Sequence, residues 1–216
     1  QEGAAAAVCD WSVTARTAEA SYQLIDRALM QMRTGVPSPK HIQVPIAQLE
    51  ARAEAAPALP ADWPLCPEPA PLPCATLTEQ LQASERPLFI FGGGAAKGVE
   101  RWLPHFAKLN AASFTTYAGR GIIPDDSPLH FGATLARPGS ADVIASADLV
   151  VAVGTRLSEV DLWRDELGHK APLIRIDLDH ESLTDQHRAT TRITADAAAH
   201  LAESLSHFTQ EKQTSW

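Results

Sequence analysis

The stretch Arg86-Pro87-Leu88-Phe89-Ile90-Phe91-Gly92-Gly93-Gly94-Ala95-Ala96-Lys97-Gly98 constrains this chain more than any other. Leu88 to Phe91 is a continuous apolar run entered through a proline, which suits a strand buried on both faces of a parallel sheet. The glycines stop it, and Val99, Trp102, Leu103, Phe106 and Leu109 then recur at helical spacing. Strand, glycine turn and helix in that order open a βαβ unit. Glycines at such a turn let backbone approach a ligand, and the N–H groups of the following helix favour an anion such as pyrophosphate. The same glycines serve equally well to turn the chain, because Gly92-Gly93-Gly94 is not the G-x-G-x-x-G fingerprint. Both readings stay open.

The alternation continues downstream. Thr76 to Ser84 predicts a short helix leading into the organising strand. Ala112 to Thr116 reads as a second strand, followed by the loop Tyr117-Ala118-Gly119-Arg120-Gly121-Ile122-Ile123-Pro124. Pro138 to Ala145 reads as a helix capped by Ser140, Asp148 to Gly154 as a third strand and Leu173 to Leu178 as a fourth. Arg192 to Thr194 adds a short edge strand, Asp196 to Phe208 a closing helix with Leu201 and Leu205 inward, and the residues from Gln210 read as frayed. Such alternation predicts an α/β fold, a parallel sheet with helices on both faces.

The first third reads differently. Residues 1 to 10 are alanine-rich, either poorly ordered or the tail of a helix. Thr17 caps a helix to Met32 on which Ala20, Leu24, Ala28 and Leu29 recur, and Gly35, Pro37 and Pro39 end it. His41-Ile42-Gln43-Val44-Pro45 looks like a lone strand with no neighbour nearby in sequence, needing a sheet from elsewhere. Prolines at 57, 60, 64, 67, 69, 71 and 73 mark an extended linker and a domain boundary, with Trp63 and Leu65 either pinning it or ordinarily part-buried.

The net charge of −8 argues against nucleic acid or an anionic membrane as partner. No apolar run is long enough to cross a bilayer, and the start is not a signal peptide. Cys9, Cys66 and Cys74 are odd in number and scattered, which fits a reducing, cytoplasmic setting and no zinc site. Met30 and Met32 are the only methionines, so the chain reads as an excised piece.

Four strand-end segments fall on one edge of a parallel sheet: Gly92 to Gly94, Tyr117 to Gly121, Gly154 to Ser158, and Asp177 to Asp179. Together they could frame a nucleotide crevice. Asp177 and Asp179 are candidates for ribose hydroxyls, or else caps of a helix beginning near His180. Arg156 could meet a phosphate or pair with Glu159 or Asp161. His41, His105, His130 and His169 read as surface or capping residues, no serine sits in an elbow, and no paired carboxylates emerge. No self-sufficient active site is legible.

Trp11-Ser12-Val13 through His41-Ile42-Gln43-Val44-Pro45-Ile46, the proline linker, Arg86-Pro87 to Gly94, Thr115 to Gly121, Ala147 to Leu157 and Ile174 to Asp179 together resemble one continuous piece of the acetolactate synthase-like thiamine diphosphate-dependent enzymes. The resemblance implies that residues 1–48 end a pyrimidine-binding domain, whose sheet the strand before Pro45 completes. It implies a linker at 49–74, a Rossmann-like central domain of five or six parallel strands at 75–208, and a tail at 209–216. Central domains of this family hold FAD or ADP in some members and are empty in others. The implied crevice residues here are Gly92, Gly93, Gly94, Gly119, Arg120, Gly154, Arg156, Asp177 and Asp179. Leu129 to Gly139 matches the flavin-binding pattern only loosely, which favours an empty or ADP-type site over FAD.

By the same resemblance, the parent enzyme uses thiamine diphosphate and magnesium on a small 2-oxo acid, as a homodimer or homotetramer. Its catalytic glutamate would lie before this chain, and its Gly-Asp-Gly motif after it, so the segment is expected to bind neither cofactor and to be inactive alone. Thr155 to Trp163 resembles members acting on 2-oxo acids with a basic side chain, such as 5-guanidino-2-oxopentanoate decarboxylase. Two rival readings are an autonomous FAD-, ADP- or NAD-binding module and a scaffold with a vestigial crevice. Apolar surface exposed on a free-standing piece would favour self-association.

Overall fold

The computed structural model describes residues 1–58 and 71–216, with the side chains of 71 and 72 excepted. The chain divides into two units, Gln1–Cys66 and Pro67–Trp216. Trp63, Leu65, Cys66 and the rest of residues 59–70 of the expected linker lie outside the described residues.

The first unit is a βαβ unit. A short helix, α1 (Glu2–Ala5), stands in the alanine-rich start and precedes β1 (Trp11–Thr14), α2 (Ala18–Thr34), β2 (Lys40–Gln43) and α3 (Ile46–Leu49). The strand at His41 therefore has a partner: β1 and β2 pair in parallel, Trp11 opposite Lys40 and Thr14 opposite Gln43. Sequence reading missed β1 because four mixed residues carry no periodicity, whereas α2 is long enough to carry the chain back for a parallel pairing. The Thr17 hydroxyl caps α2, accepting from Ala20 N at 3.1 Å. Cross-links reach the strands: Trp11 Nε1 donates to Gln31 Oε1 at 2.8 Å, and Ser12 Oγ meets His41 Nδ1 at 2.8 Å. Only Ala15 and Ala28 are buried apolar residues among those described here, and Leu29, expected with the helix's apolar set, is 40% exposed.

The second unit holds α4 (Pro71–Ala83), β3 (Pro87–Phe91), α5 (Val99–Phe106), β4 (Ala112–Thr115), α6 (Gly139–Ala145), β5 (Leu149–Val153), α7 (Glu159–Leu162), β6 (Leu173–Asp177), β7 (Thr191–Thr194) and α8 (Ala197–Leu205). Helix α4 begins five residues before the expected Thr76. Pro71 and Pro73 sit in its first turn, where the missing N–H groups would have no partner anyway. All five strands run parallel in the order β4-β3-β5-β6-β7.

Alternation along β3 sends Phe89 and Phe91 to one face, Leu88 and Ile90 to the other. On the first face Phe89, Phe91, Trp102 and Phe106 form an aromatic cluster: Phe91 and Trp102 stack with centroids 4.9 Å apart, and Phe106 meets Phe91 edge-on at 5.1 Å. Leu77 and Leu81 of α4 and Leu201 and Leu205 of α8 complete this core. On the second face Leu88, Ile90, Phe114, Val150 and Ala152 pack with Ile144 of α6 and Leu162 of α7.

Two local expectations change. Ser140 is not a cap but lies inside the first turn of α6, its hydroxyl donating back to Arg137 O at 2.8 Å. The tail is not frayed: Lys212 N donates to Lys108 O at 2.8 Å, Ser215 N to Glu85 O at 2.9 Å and Trp216 Nε1 to Pro87 O at 3.0 Å. Trp216 also faces the Arg86 guanidinium at 4.5 Å, so the tail is strapped across the starts of β3 and β4. None of the helices among the described residues is long and apolar enough to cross a membrane.

Candidate functional site

The order β4-β3-β5-β6-β7 reverses the direction of winding between β3 and β5. In open α/β sheets the ligand crevice lies at that reversal, beyond the carboxyl ends of the strands. The loops leaving those two strands carry Gly92-Gly93-Gly94 and Gly154, and they are locked to one another. Gly92 N donates to Val153 O at 2.8 Å and Gly94 N to Gly154 O at 3.1 Å. A Cβ on Gly92 would stand 2.1 Å from the Gly154 carbonyl oxygen, and one on Gly94 2.8 Å from Gly154 Cα. Gly154, at φ +58°, would itself place a Cβ 2.6 Å from Gly94 Cα. Glycine is required here by the approach of two backbones to each other.

Gly119 is packed in the same way, its missing Cβ 2.3 Å from Phe91 O, and its N–H donates to Thr116 O and Oγ at 3.1 Å each. Gly93 and Arg120 are exposed. The helix expected on Val99, Trp102, Leu103 and Phe106 is present. A short 3-10 turn, Gly93–Ala95, intervenes, and α5 starts at Val99 behind Gly98, whose φ of +77° reverses the chain. The amides of Gly92, Gly94 and Gly119 are therefore bonded within the protein.

Arg156 pairs neither with Glu159 nor with Asp161 but with Asp179, Nη2 to Oδ2 at 3.0 Å. Asp177 Oδ1 accepts from Asp179 N at 2.8 Å, and Asp179 Oδ1 from Glu181 N at 3.1 Å. Burial pushes the Asp177 carboxyl up, opposed by its bond from Asp179 N–H. The expected helix near His180 is only a 3-10 turn, Ser182–Thr184. The structure thus brings Arg156, Asp177 and Asp179 together, and Gly92 to Gly94 together with Gly154.

Sequence reading missed the buried groups that organise this edge. Arg175 on β6 is 1% exposed. Its Nη1 donates to Asp185 Oδ1 at 2.6 Å and His187 O at 3.3 Å, its Nη2 to Thr155 O at 3.3 Å. One guanidinium thereby ties the loop after β5 to the loop after β6, and within that tie Leu157 is held at φ +50°. Behind the first core face, Cys74 Sγ lies 3.4 Å from His200 Nδ1 between α4 and α8. Burial alone lowers His200 to about 4, so the imidazole beside the thiol is neutral. Burial also pushes the Cys74 thiol up, leaving it unreactive. The one available signal was an Arg inside an apolar run, Leu173 to Leu178, where a charge demands a partner.

Among the described residues no group of three His, Cys, Asp or Glu side chains could hold a metal ion.

The family profile described as "Thiamine pyrophosphate enzyme, central domain" matches residues 74–204. A Pseudomonas aeruginosa protein named as a probable 2-ketoarginine decarboxylase is 34% identical over 222 residues, covering 100% of this chain and 39% of that relative. Pyruvate oxidase of Lactiplantibacillus plantarum is 29% identical over 217 residues, covering 97% of this chain and 35% of the relative. The chain thus spans well under half the length of these curated relatives. A crystal structure of benzoylformate decarboxylase from Polynucleobacter necessarius superposes with a TM-score of 0.77 at 21% identity, over 95% of this chain and 40% of the other, and shows the shared fold.

Proposed function

The chain belongs to the thiamine pyrophosphate enzymes and carries their central domain, and from that premise we propose that it is the positioning segment of a longer 2-oxo acid decarboxylase or synthase. On this reading residues 1–48 contribute the end of a pyrimidine-binding domain, and the sheet of Pro67–Trp216 is a rigid spacer between catalytic parts. The substrate is a small 2-oxo acid, and the assembled enzyme is a homodimer or homotetramer. The relative named for 2-ketoarginine, together with the Thr155 to Trp163 segment, supports a 2-oxo acid with a basic side chain. Bound thiamine diphosphate supplies the electron sink for cleavage next to a keto group in such enzymes. The residues of this chain hold the fold that orients the parts around it.

The crevice is read as scaffold, empty of FAD, ADP or NAD. The observation that supports this is the lock between Gly94 and Gly154 at the winding reversal, where the Gly92 and Gly94 amides donate to the neighbouring loop rather than outward. Calorimetric titration of the folded chain with FAD, ADP and NAD, beside its absorbance spectrum as purified, tests it. The expected result is no heat and no flavin colour. Micromolar binding of any of the three would overturn the scaffold reading in favour of a nucleotide-binding module.

A further inference from the structure

The corner formed by α7 and the residues after it is built differently from the rest of the surface. Trp163 is 75% exposed and Val160 64%. Tyr117, 54% exposed, is on a segment tied to the same corner, its N–H donating to Asp161 Oδ1 at 3.1 Å. Glu159, Val160, Trp163, Arg164 and Asp165 line a hollow of about 380 Å³. The one cation among them is withdrawn. The Arg164 guanidinium is turned inward, donating to the carbonyls of Leu135 at 2.6 Å, Glu166 at 2.9 Å and Leu167 at 3.2 Å, and to Ser140 Oγ at 3.0 Å. Among the described residues Glu159 and Asp165 are in no ion pair. The corner therefore presents an indole and an aliphatic side chain beside carboxylates whose local countercharge faces the interior.

An indole face and carboxylates are the two groups that attract a guanidinium or ammonium, the first through its quadrupole and the second through charge. The apolar surface between them gains by being covered. We propose that this corner docks a polypeptide segment in which an arginine or lysine is flanked by apolar side chains. The cation would meet Glu159 and Asp165, and the flanking groups would cover Val160 and Trp163. Glu159, Val160 and Trp163 also lie in the Thr155 to Trp163 segment cited above for a basic substrate, so the test measures peptide binding alone, apart from turnover.

A fluorescently labelled synthetic peptide of alternating leucine and arginine is the probe, with a leucine–glutamate peptide of equal length as its counterpart, read by anisotropy on the intact chain. Saturable binding of the arginine peptide is expected, falling as salt is raised. Trp163→Asn should weaken it about tenfold, as should the double change E159K/D165K. Asparagine suits the left-handed backbone of Trp163, at φ +51°, so loss of binding in that variant is not loss of fold. A far-UV circular dichroism spectrum verifies both variants. No binding of the arginine peptide, equal binding of the glutamate peptide, or binding unchanged in both variants would overturn the proposal.

Discussion

At Gly154 two demands coincide: a left-handed backbone and the near contact of Gly94. Gly154→Ala is expected to cost at least about 2–4 kcal/mol, because it adds backbone strain to a clash that only main-chain movement relieves. Gly139→Ala, with nothing within 4 Å of its Cβ, should change stability by no more than about 1 kcal/mol. Urea denaturation of the two variants separates these outcomes. The buried His200 makes a second prediction at this scale. Its folded value of about 4 lies below the ordinary 6.5, so the unfolded chain takes up a proton first as pH falls. Its contribution is fully present above about pH 6.5, is lost between there and about pH 4, and levels off below; it amounts to roughly 3 kcal/mol. His130, His169 and His187, also lowered by burial, act with the same sign. His200→Asn should flatten the slope of stability between pH 7 and pH 4 in urea titrations, whatever it does to stability at neutral pH.

Among the elements, the tail is the least expected. Its backbone bonds run to Lys108 and Glu85, and Asn110 Nδ2 donates back to Lys212 O at 2.8 Å. The Arg86 side chain is sandwiched by its contacts, Trp216 on one hand and Ser146 Oγ at 3.2 Å on the other. Asp148 accepts from Arg86 N at 2.9 Å, so the starts of β3 and β5 share one carboxylate. Trp216→Ala is expected to lower stability by about 1–2 kcal/mol and to speed hydrogen exchange at the starts of β3 and β4. Unchanged exchange there would mean the strap does not hold those strand ends.

Across the whole molecule, the two units differ in how much apolar surface they bury. In Pro67–Trp216 the strands β3, β5 and β6 are buried along nearly their full length, between two cores. In Gln1–Cys66 both strands are only half-buried, and Ile25, Leu29, Met30 and Met32 of α2 are exposed. Hydrogen exchange on the intact chain should therefore show strong protection in β3, β5 and β6 and rapid exchange in β1 and β2. Equal protection in both would contradict this account of the first unit.

Local sequence was enough for the parallel α/β class, because buried parallel strands announce themselves as apolar runs such as Leu88 to Phe91 and Leu149 to Val153, and glycine turns mark where they end. It also yielded the Thr17 cap of α2, which is a short-range hydrogen bond. Pairing is another matter. The match of β1 with β2, Arg156 with Asp179, Cys74 with His200 and Trp216 with Arg86 joins residues far apart in the chain, and no local pattern encodes which distant group arrives. The glycines show the difference most plainly: position left open a close approach to a ligand or a plain turn of the chain, and only the tertiary structure decided that Gly92 and Gly94 approach another backbone, because strand order places the β3 and β5 loops side by side.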